Sequence, residues 1–194
     1  MMRQAREERK TKETSIKITW KLDGTGKHQI KTSIPFMDHM LELFSRHGYF
    51  DLKVDAYGDT DIDAHHTVED LGIVLGSVFK NALGDKKSIN RYGFQVLPMD
   101  ESLALISLDI SNRPYLDFNV KFKSSLQNFD KALVKEFFSA FVNHAGITLH
   151  IRMLSGDNTH HMIEAIFKAF AKALRSAIEV NTREKGIPST KGVI

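Results

Sequence analysis

Hydrophobic and polar residues follow a pattern along this chain that occurs twice. In each half, alternating residues predict two strands, a helical period follows them, and a further strand and a long helix complete the unit. These elements fall at residues 16–22, 30–34, 37–44, 52–56 and 68–79. The second copy falls at residues 103–105, 116–122, 133–145, 147–153 and 163–178. The chain is therefore predicted to contain a duplicated β-β-α-β-α unit.

Alignment of the two halves supports the duplication. Residues 39–54 align with residues 136–151, and residues 12–16 resemble residues 100–103 more loosely. One sheet in each half, with helices on one of its faces, is an α+β design. The predicted divisions are a basic N-terminal extension (1–12), a first half-repeat (13–90), a second half-repeat (91–182) and a C-terminal tail (183–194).

Composition narrows the possible classes of protein. The 194 residues include 42% hydrophobic and 26% charged residues, which is typical of a globular protein with a substantial core. There are no cysteines, so disulfides and cysteine-ligated zinc are excluded, and a cytoplasmic location is expected. The net charge of +3 is small, and the sequence contains no basic patch interleaved with aromatic residues. Nucleic-acid binding is therefore not expected. No membrane span is expected, and the charged segment 1–12 predicts a solvated, partly flexible end.

The motif His-His-x-x-Glu begins the predicted long helix of each half. Residues three or four positions apart share one face of a helix, so each motif presents imidazole and carboxylate groups together. A single copy would be weak support for a metal site, but here the motif occurs twice, with a further ligand-type residue before each copy. The predicted ligands are His39, His65, His66, Glu69, Glu136, His160, His161 and Glu164.

This ligand set suits two metal ions. Adjacent histidines on a helix point about 100° apart, so one pair cannot easily hold a single ion. We therefore expect two ions, each bound by residues from both motifs. Eight ligands over two octahedral ions leave positions for substrate or water. Nitrogen and carboxylate ligands suit manganese, iron or zinc, and six-coordination favours manganese.

Several cationic and hydroxyl side chains could bind an anionic substrate. Arg91 opens the second half, Arg113 lies in a turn sequence, and Lys168 follows Glu164 by one helical turn. The tail adds Ser189, Thr190 and Lys191. Such groups form phosphate sites when they converge. His47 is open between a structural and a catalytic role, whereas His144 and His150 are interpreted as structural.

Together, these motifs resemble imidazoleglycerol-phosphate dehydratase of histidine biosynthesis from about residue 13 to the end of the chain. The similar segments are residues 38–41, 63–70, 98–101, 111–114, 158–165 and 188–192. The resemblance implies a duplicated fold of the ribosomal protein S5 domain 2 type, two Mn²⁺ ions in each active site and a homo-oligomer of about 24 subunits. The eight predicted ligands match the metal ligands of the family. Glu136 stands where some members carry histidine.

The resemblance also implies a reaction: imidazole-glycerol phosphate loses water to give imidazole-acetol phosphate. The substrate contacts it implies are Glu13, Arg91, Arg113, Lys168, Ser189 and Lys191, and some should come from neighbouring subunits. We infer that the hydroxyl leaves through a diazafulvene and that the next carbon then loses its proton. Glu13 is the first candidate for the base, with His47 or a metal-bound water as alternatives.

On spacing alone, two other functions remain open. A hydrolase with two metal ions could use the same ligands to activate water against a phosphate or an amide. An assembly in which the ions only hold the halves together would need no cationic cluster beside them.

Overall fold

The computed structural model describes residues 3–194, which form two sheets of four strands each and four helices. The strands are β1 (Gln4–Lys10), β2 (Thr14–Lys21), β3 (His28–Lys31), β4 (Asp51–Gly58), β5 (Tyr92–Met99), β6 (Ser102–Asp109), β7 (Tyr115–Asn119) and β8 (Thr148–Ser155). The helices are α1 (Pro35–Gly48), α2 (His65–Leu83), α3 (Ala132–Ala145) and α4 (Thr159–Ile178). No helix among these residues combines the length and apolar character needed to cross a membrane.

The two sheets have the same topology. The strand orders are β1-β2-β4-β3 and β5-β6-β8-β7. In each sheet the first three strands of this order are antiparallel to one another. The fourth, β3 or β7, runs parallel to its neighbour, β4 or β8, and a helix connects the two strands of that pair. The predicted α+β class and the duplicated β-β-α-β-α order are confirmed, with one additional strand before each copy.

The first additional strand shows that the expected flexible N-terminal end was wrong for residues 4–10. These residues form β1, which pairs antiparallel with β2 along its whole length. The strand lies at the edge of the sheet, where charged side chains remain solvated, so its composition resembles that of a loose end. Arg9 also holds α2, because its Nε donates to the buried Asp70 carboxylate over 2.9 Å. Residues 1 and 2 of the extension lie outside the described residues.

The second additional strand, β5, was also missed in the sequence, and the predicted strand at 116–122 ends earlier, at Asn119. β5 contains Gly93 and Pro98, two residues that weaken a strand assignment. Gly93 is needed because α4 crosses it closely. A Cβ at this position would lie 1.9 Å from the Ala173 carbonyl oxygen.

The helices lie between the sheets, so the core has contributions from both halves. α2 packs on β1 and β2, α4 packs on β5 and β6, and the helix pairs α2–α3 and α1–α4 contact each other across the middle. The ring of Phe44 on α1 stacks on that of Phe170 on α4, with centroids 5.4 Å apart. Burial of such aromatic faces favours the association of the two halves.

Glycines on α2 allow the closest of these helix contacts. A Cβ on Gly72 would lie 2.6 Å from the carbonyl oxygen of Phe137 and 2.8 Å from the Cβ of Ala140, both on α3. A Cβ on Gly76 would lie 2.6 Å from the Phe141 carbonyl oxygen. The backbones of α2 and α3 can approach this closely only because these side chains are absent.

We expect Gly72→Ala to destabilise the protein. In an ordinary helix this change stabilises by about 0.5–1 kcal/mol, but here the added methyl group must push α3 away, at a cost of about 1–3 kcal/mol. Denaturant-induced unfolding measures the difference, and Lys80→Ala, at an exposed position of the same helix, is the control. A gain in stability for Gly72→Ala would contradict the close approach.

Candidate active site

Three of the predicted metal ligands meet where α1 crosses α4. His39 is on the second turn of α1, and His160 and Glu164 are one turn apart at the start of α4. The Nε2 atoms of His39 and His160 each lie 3.0 Å from the same oxygen, Oε1 of Glu164. This group combines His39 of the first half with two residues of the second motif, and it contains no residue of the first motif. The expectation that each ion takes ligands from both motifs stays a prediction.

The carboxylate at the centre of this group is buried and strongly stabilised in its charged form. Burial alone would raise the pKa of Glu164, but hydrogen bonds from Lys168, His39 and His160 outweigh it and lower the pKa to about 2. The shortest bond is from Lys168, whose Nζ lies 2.6 Å from Oε2. Glu164 therefore remains an anion at any physiological pH and can serve as a metal ligand.

The geometry of this group fits a divalent cation. Its ligand atoms all lie within 4.8 Å of one another. Ligands at about 2.1 Å from an octahedral ion stand about 3 Å apart when adjacent, which matches both distances to Glu164 Oε1. Two imidazoles and one carboxylate are also the donor types that manganese, iron and zinc accept.

The corresponding residues of the first motif are more open. His65 Nε2 lies 4.0 Å from Glu69 Oε2, and both side chains are nearly half exposed. Glu136 lies half-buried on α3, and we find no hydrogen bond or ion pair to it among residues 3–194. Of the predicted ligands, the structure therefore brings three together around Glu164 and leaves the corresponding residues His65, Glu69 and Glu136 apart.

The second histidine of each motif is held by a carboxylate. Nδ1 of His66 lies 3.0 Å from Asp59 and 3.9 Å from Glu13. Nδ1 of His161 lies 2.9 Å from Glu101. The hydrogen bonds to Asp59 and Glu101 raise the pKa values of His66 and His161, respectively.

Asp59 and Glu101 were missed by sequence reasoning. Glu101 could have been found, because it aligns with Glu13 in the loose repeat of residues 12–16 and 100–103. Asp59 lies in the loop after β4 and has no comparable signal, since its position depends on how that loop folds back.

The predicted anion-binding residues divide into two places. Five of them line one cavity of about 780 Å³ between the start of β5 and the tail: Arg91, Arg113, Ser189, Thr190 and Lys191. None of the eight predicted ligands lines this cavity. Lys168 instead contacts Glu164, as described above.

The two arginines of this cavity have different environments. Arg91 is largely buried, donates from Nε to Asp109 over 2.7 Å and from Nη1 to the Pro188 carbonyl over 2.9 Å, and so fastens the tail to the second half. The hydrogen bond to Asp109 raises its pKa. Arg113, by contrast, is 68% exposed, and its Nη2 lies 3.7 Å from Oδ2 of the same Asp109.

His47, His144 and His150 are not among the predicted ligands. His47 ends α1, and burial, together with the nearby charges of Lys168 and Lys172, lowers its pKa. His144 Nδ1 contacts the Ala140 carbonyl oxygen over 2.9 Å, and His150 pairs with Asp117 on the second sheet. The last two contacts agree with a structural interpretation.

Comparison with known proteins decides the family. A family model described as imidazoleglycerol-phosphate dehydratase matches residues 32–174. The dehydratase of that name from Citrifermentans bemidjiense is 58% identical over 193 residues, covering 99% of both chains. That of Bacillus pumilus is 57% identical over the whole of both chains.

This chain belongs to the imidazoleglycerol-phosphate dehydratase family.

Solved structures of this family share the fold. The dehydratase of Staphylococcus aureus superimposes with a TM-score of 0.83 at 41% identity, over 92% of this chain and 99% of that one. The Pyrococcus furiosus enzyme, crystallised with the compound (S)-C348, gives 0.85 at 37% identity, over 97% of this chain and 100% of that one. The resemblance drawn from the motifs is confirmed, as is the predicted enzyme class, a hydro-lyase of histidine biosynthesis.

If the group around Glu164 binds a metal ion, manganese should raise the unfolding temperature of chelator-stripped protein, because an ion that binds only the folded state stabilises it. The rise should be much smaller for Glu164→Gln, which removes the charge shared by His39 and His160. Thermal unfolding with and without manganese measures both. His144→Gln is the control. A manganese-induced rise in unfolding temperature that is equal in Glu164→Gln and His144→Gln would contradict this site.

Proposed function

We propose that this protein converts imidazole-glycerol phosphate to imidazole-acetol phosphate and water. The observation that carries the proposal is the group formed by His39, His160 and Glu164 across the two halves of a chain of this family. The hydrolase with two metal ions, which was open on spacing alone, has no comparable support. The predicted cytoplasmic location and the predicted absence of nucleic-acid and membrane partners remain predictions.

The proposed cofactor is two manganese ions per active site, held by the eight residues predicted from the sequence. When bound, the metal would supply a Lewis acid that holds the imidazole ring and favours its deprotonated form. His39, His160 and Glu164 would bind one metal ion, and the open pair His65 and Glu69 would supply ligands to another position of the site. The exposure of these two side chains leaves them accessible to further ligands.

The proposed phosphate site is the cavity beside the tail. Arg113 and Lys191 would supply positive charge there, and Ser189 and Thr190 would supply hydroxyl donors. Arg91 already donates hydrogen bonds to Asp109 and to the Pro188 carbonyl oxygen, so its main role is to fix the shape of the cavity. A phosphate fixed here would orient the rest of the substrate and reduce the entropy lost on reaching the transition state.

Metal ligands and phosphate cavity do not meet within one subunit. Six predicted ligand side chains are from a quarter to a half exposed, although a metal site that excludes water would be more enclosed. Both observations support sites that are completed by neighbouring copies. We therefore propose a homo-oligomer in which the metal ligands and the phosphate cavity of one site come from different subunits. The number of about 24 subunits is what the family resemblance implies.

Acid–base chemistry is assigned first to Glu13. The hydroxyl on the carbon next to the imidazole must leave as water, which requires a proton, and the following carbon must lose one. Glu13 is 57% exposed and lies beside His66 without a hydrogen bond to it, so its carboxylate is available for proton transfer. His47, whose lowered pKa keeps it neutral at physiological pH, remains the alternative base.

The direct test is turnover on imidazole-glycerol phosphate. Protein stripped by a chelator should be inactive, and added manganese should restore release of imidazole-acetol phosphate. Zinc and magnesium serve as metal controls. No turnover by intact, manganese-loaded protein would contradict the proposed activity.

Complementation tests the shared active site. His160→Ala should lose metal binding and Lys191→Ala should weaken phosphate binding, so each variant alone should have little activity. If the two parts come from different subunits, dissociated and reassembled mixtures should regain activity, because some sites receive both intact parts. A mixture of His160→Ala with His39→Ala, which damages the same group twice, is the matched control. Mixtures of His160→Ala and Lys191→Ala that stay inactive after reassembly would contradict the sharing.

A further inference from the structure

The glutamates Glu13 and Glu101 occupy equivalent places in the two halves but have different contacts. Each directly precedes the second strand of its sheet, and the next residue, Thr14 or Ser102, is buried. In the first half the carboxylate is 3.9 Å from the histidine of the motif, and in the second it is 2.9 Å away. The two carboxylates therefore occupy equivalent positions in the duplicated unit but lie at different distances from the motif histidine.

The Glu101 carboxylate binds both the His161 ring and the backbone that directly precedes α4. Its Oε2 accepts the Nδ1 hydrogen of His161 over 2.9 Å. Its Oε1 accepts from the backbone amide of Asn158 over 3.0 Å, with a longer contact to that of Asp157, and from the Ser102 hydroxyl over 2.9 Å. The carboxylate is thus fixed from both sides and cannot turn without losing several bonds.

This arrangement selects one tautomer of His161. With the hydrogen on Nδ1, the lone pair is on Nε2, where the side-chain amide of Asn158 approaches over 3.4 Å. Histidines that bind metals commonly donate their other ring hydrogen to a carboxylate, which orients the ring and raises its basicity. Glu101 gives His161 this arrangement before any ion binds.

In the first half, Asp59 makes the contact to the motif histidine that Glu101 makes in the second, although its other oxygen, Oδ1, is buried with no hydrogen-bond partner among residues 3–194. Asp59 Oδ2 lies 3.0 Å from Nδ1 of His66, and its backbone amide donates to the Glu13 carbonyl over 3.1 Å. The side chain of Glu13 is therefore not required to hold the ring. It is 57% exposed, compared with 36% for Glu101.

We propose that Glu101 is a positioning residue, which holds His161 with Nε2 presented to the metal, and that Asp59 has the same role for His66. The equivalent carboxylate of the first half, Glu13, is thereby left for proton transfer. This inference rests on the proposed function, since it requires His161 and His66 to be metal ligands.

The proposal predicts opposite effects for the two glutamates. Glu101→Ala should weaken manganese binding by about 10–100-fold, the usual effect of losing such a partner, while excess manganese should restore much of kcat. Glu13→Gln should leave manganese binding unchanged and abolish most turnover. Asp59→Ala should weaken manganese binding as Glu101→Ala does.

Manganese affinity by competition with a chelator is the main measurement, made on the assembled protein. The visible spectrum of the cobalt-substituted protein is the second, because a misaligned imidazole alters it whereas a simple loss of stability does not. Asp100→Ala is the matched control: its carboxylate lies 3.8 Å from the same Nδ1, beyond hydrogen-bond distance. It should bind manganese as the unaltered protein does.

Three outcomes would overturn the proposal. Unchanged affinity and cobalt spectrum in Glu101→Ala would show that Glu101 has no positioning role. Loss of one whole ion at saturating manganese would make Glu101 a direct ligand, for which its closeness to Asp100 and His161 leaves room. Absence of manganese binding in the unaltered protein would overturn the proposed function and this role with it, whereas the first two outcomes leave that function standing.

Discussion

The packing of α1 against α4 is the contact on which the candidate metal site depends. Phe44 and Phe170 stack across it, and five residues before Phe44 on α1 the same crossing brings His39 to Glu164. The same helix crossing thus joins the halves and contains a buried carboxylate, Glu164. Because Glu164 is buried, its attraction for Lys168 and two imidazoles is less screened than it would be at the surface.

Sequence patterns predicted the larger features well, because the features depend on local periodicity. The strands and helices of each half follow from alternating and helical apolar positions, and the duplication follows from comparing the halves. β1 and β5 were missed for a physical reason: an edge strand need not bury one whole face, so charges in β1 and Pro98 in β5 are tolerated there.

The candidate site was predictable in its residue types but not in its grouping. The doubled motif indicates ligands, yet nothing in the spacing shows that His39 joins the motif of the other half, since this follows from a helix crossing. Likewise, Arg91 and Pro188 are nearly a hundred positions apart, and only the folded tail makes them neighbours. The role of Asp59 depends on the path of one loop, which single-sequence reasoning does not give.

The partial neutralisation of Arg91 has a consequence for how the enzyme would meet its substrate. Asp109 offsets part of that charge and also lies 3.7 Å from Arg113, so the field outside the cavity depends on exposed cations such as Arg113 and Lys191 together. Electrostatic steering by such exposed charges is strong at low ionic strength and is screened beyond about 8–10 Å in physiological salt. If the cavity is the phosphate site proposed above, free inorganic phosphate would experience the same attraction, and discrimination between it and the substrate would come from the imidazole end of the molecule.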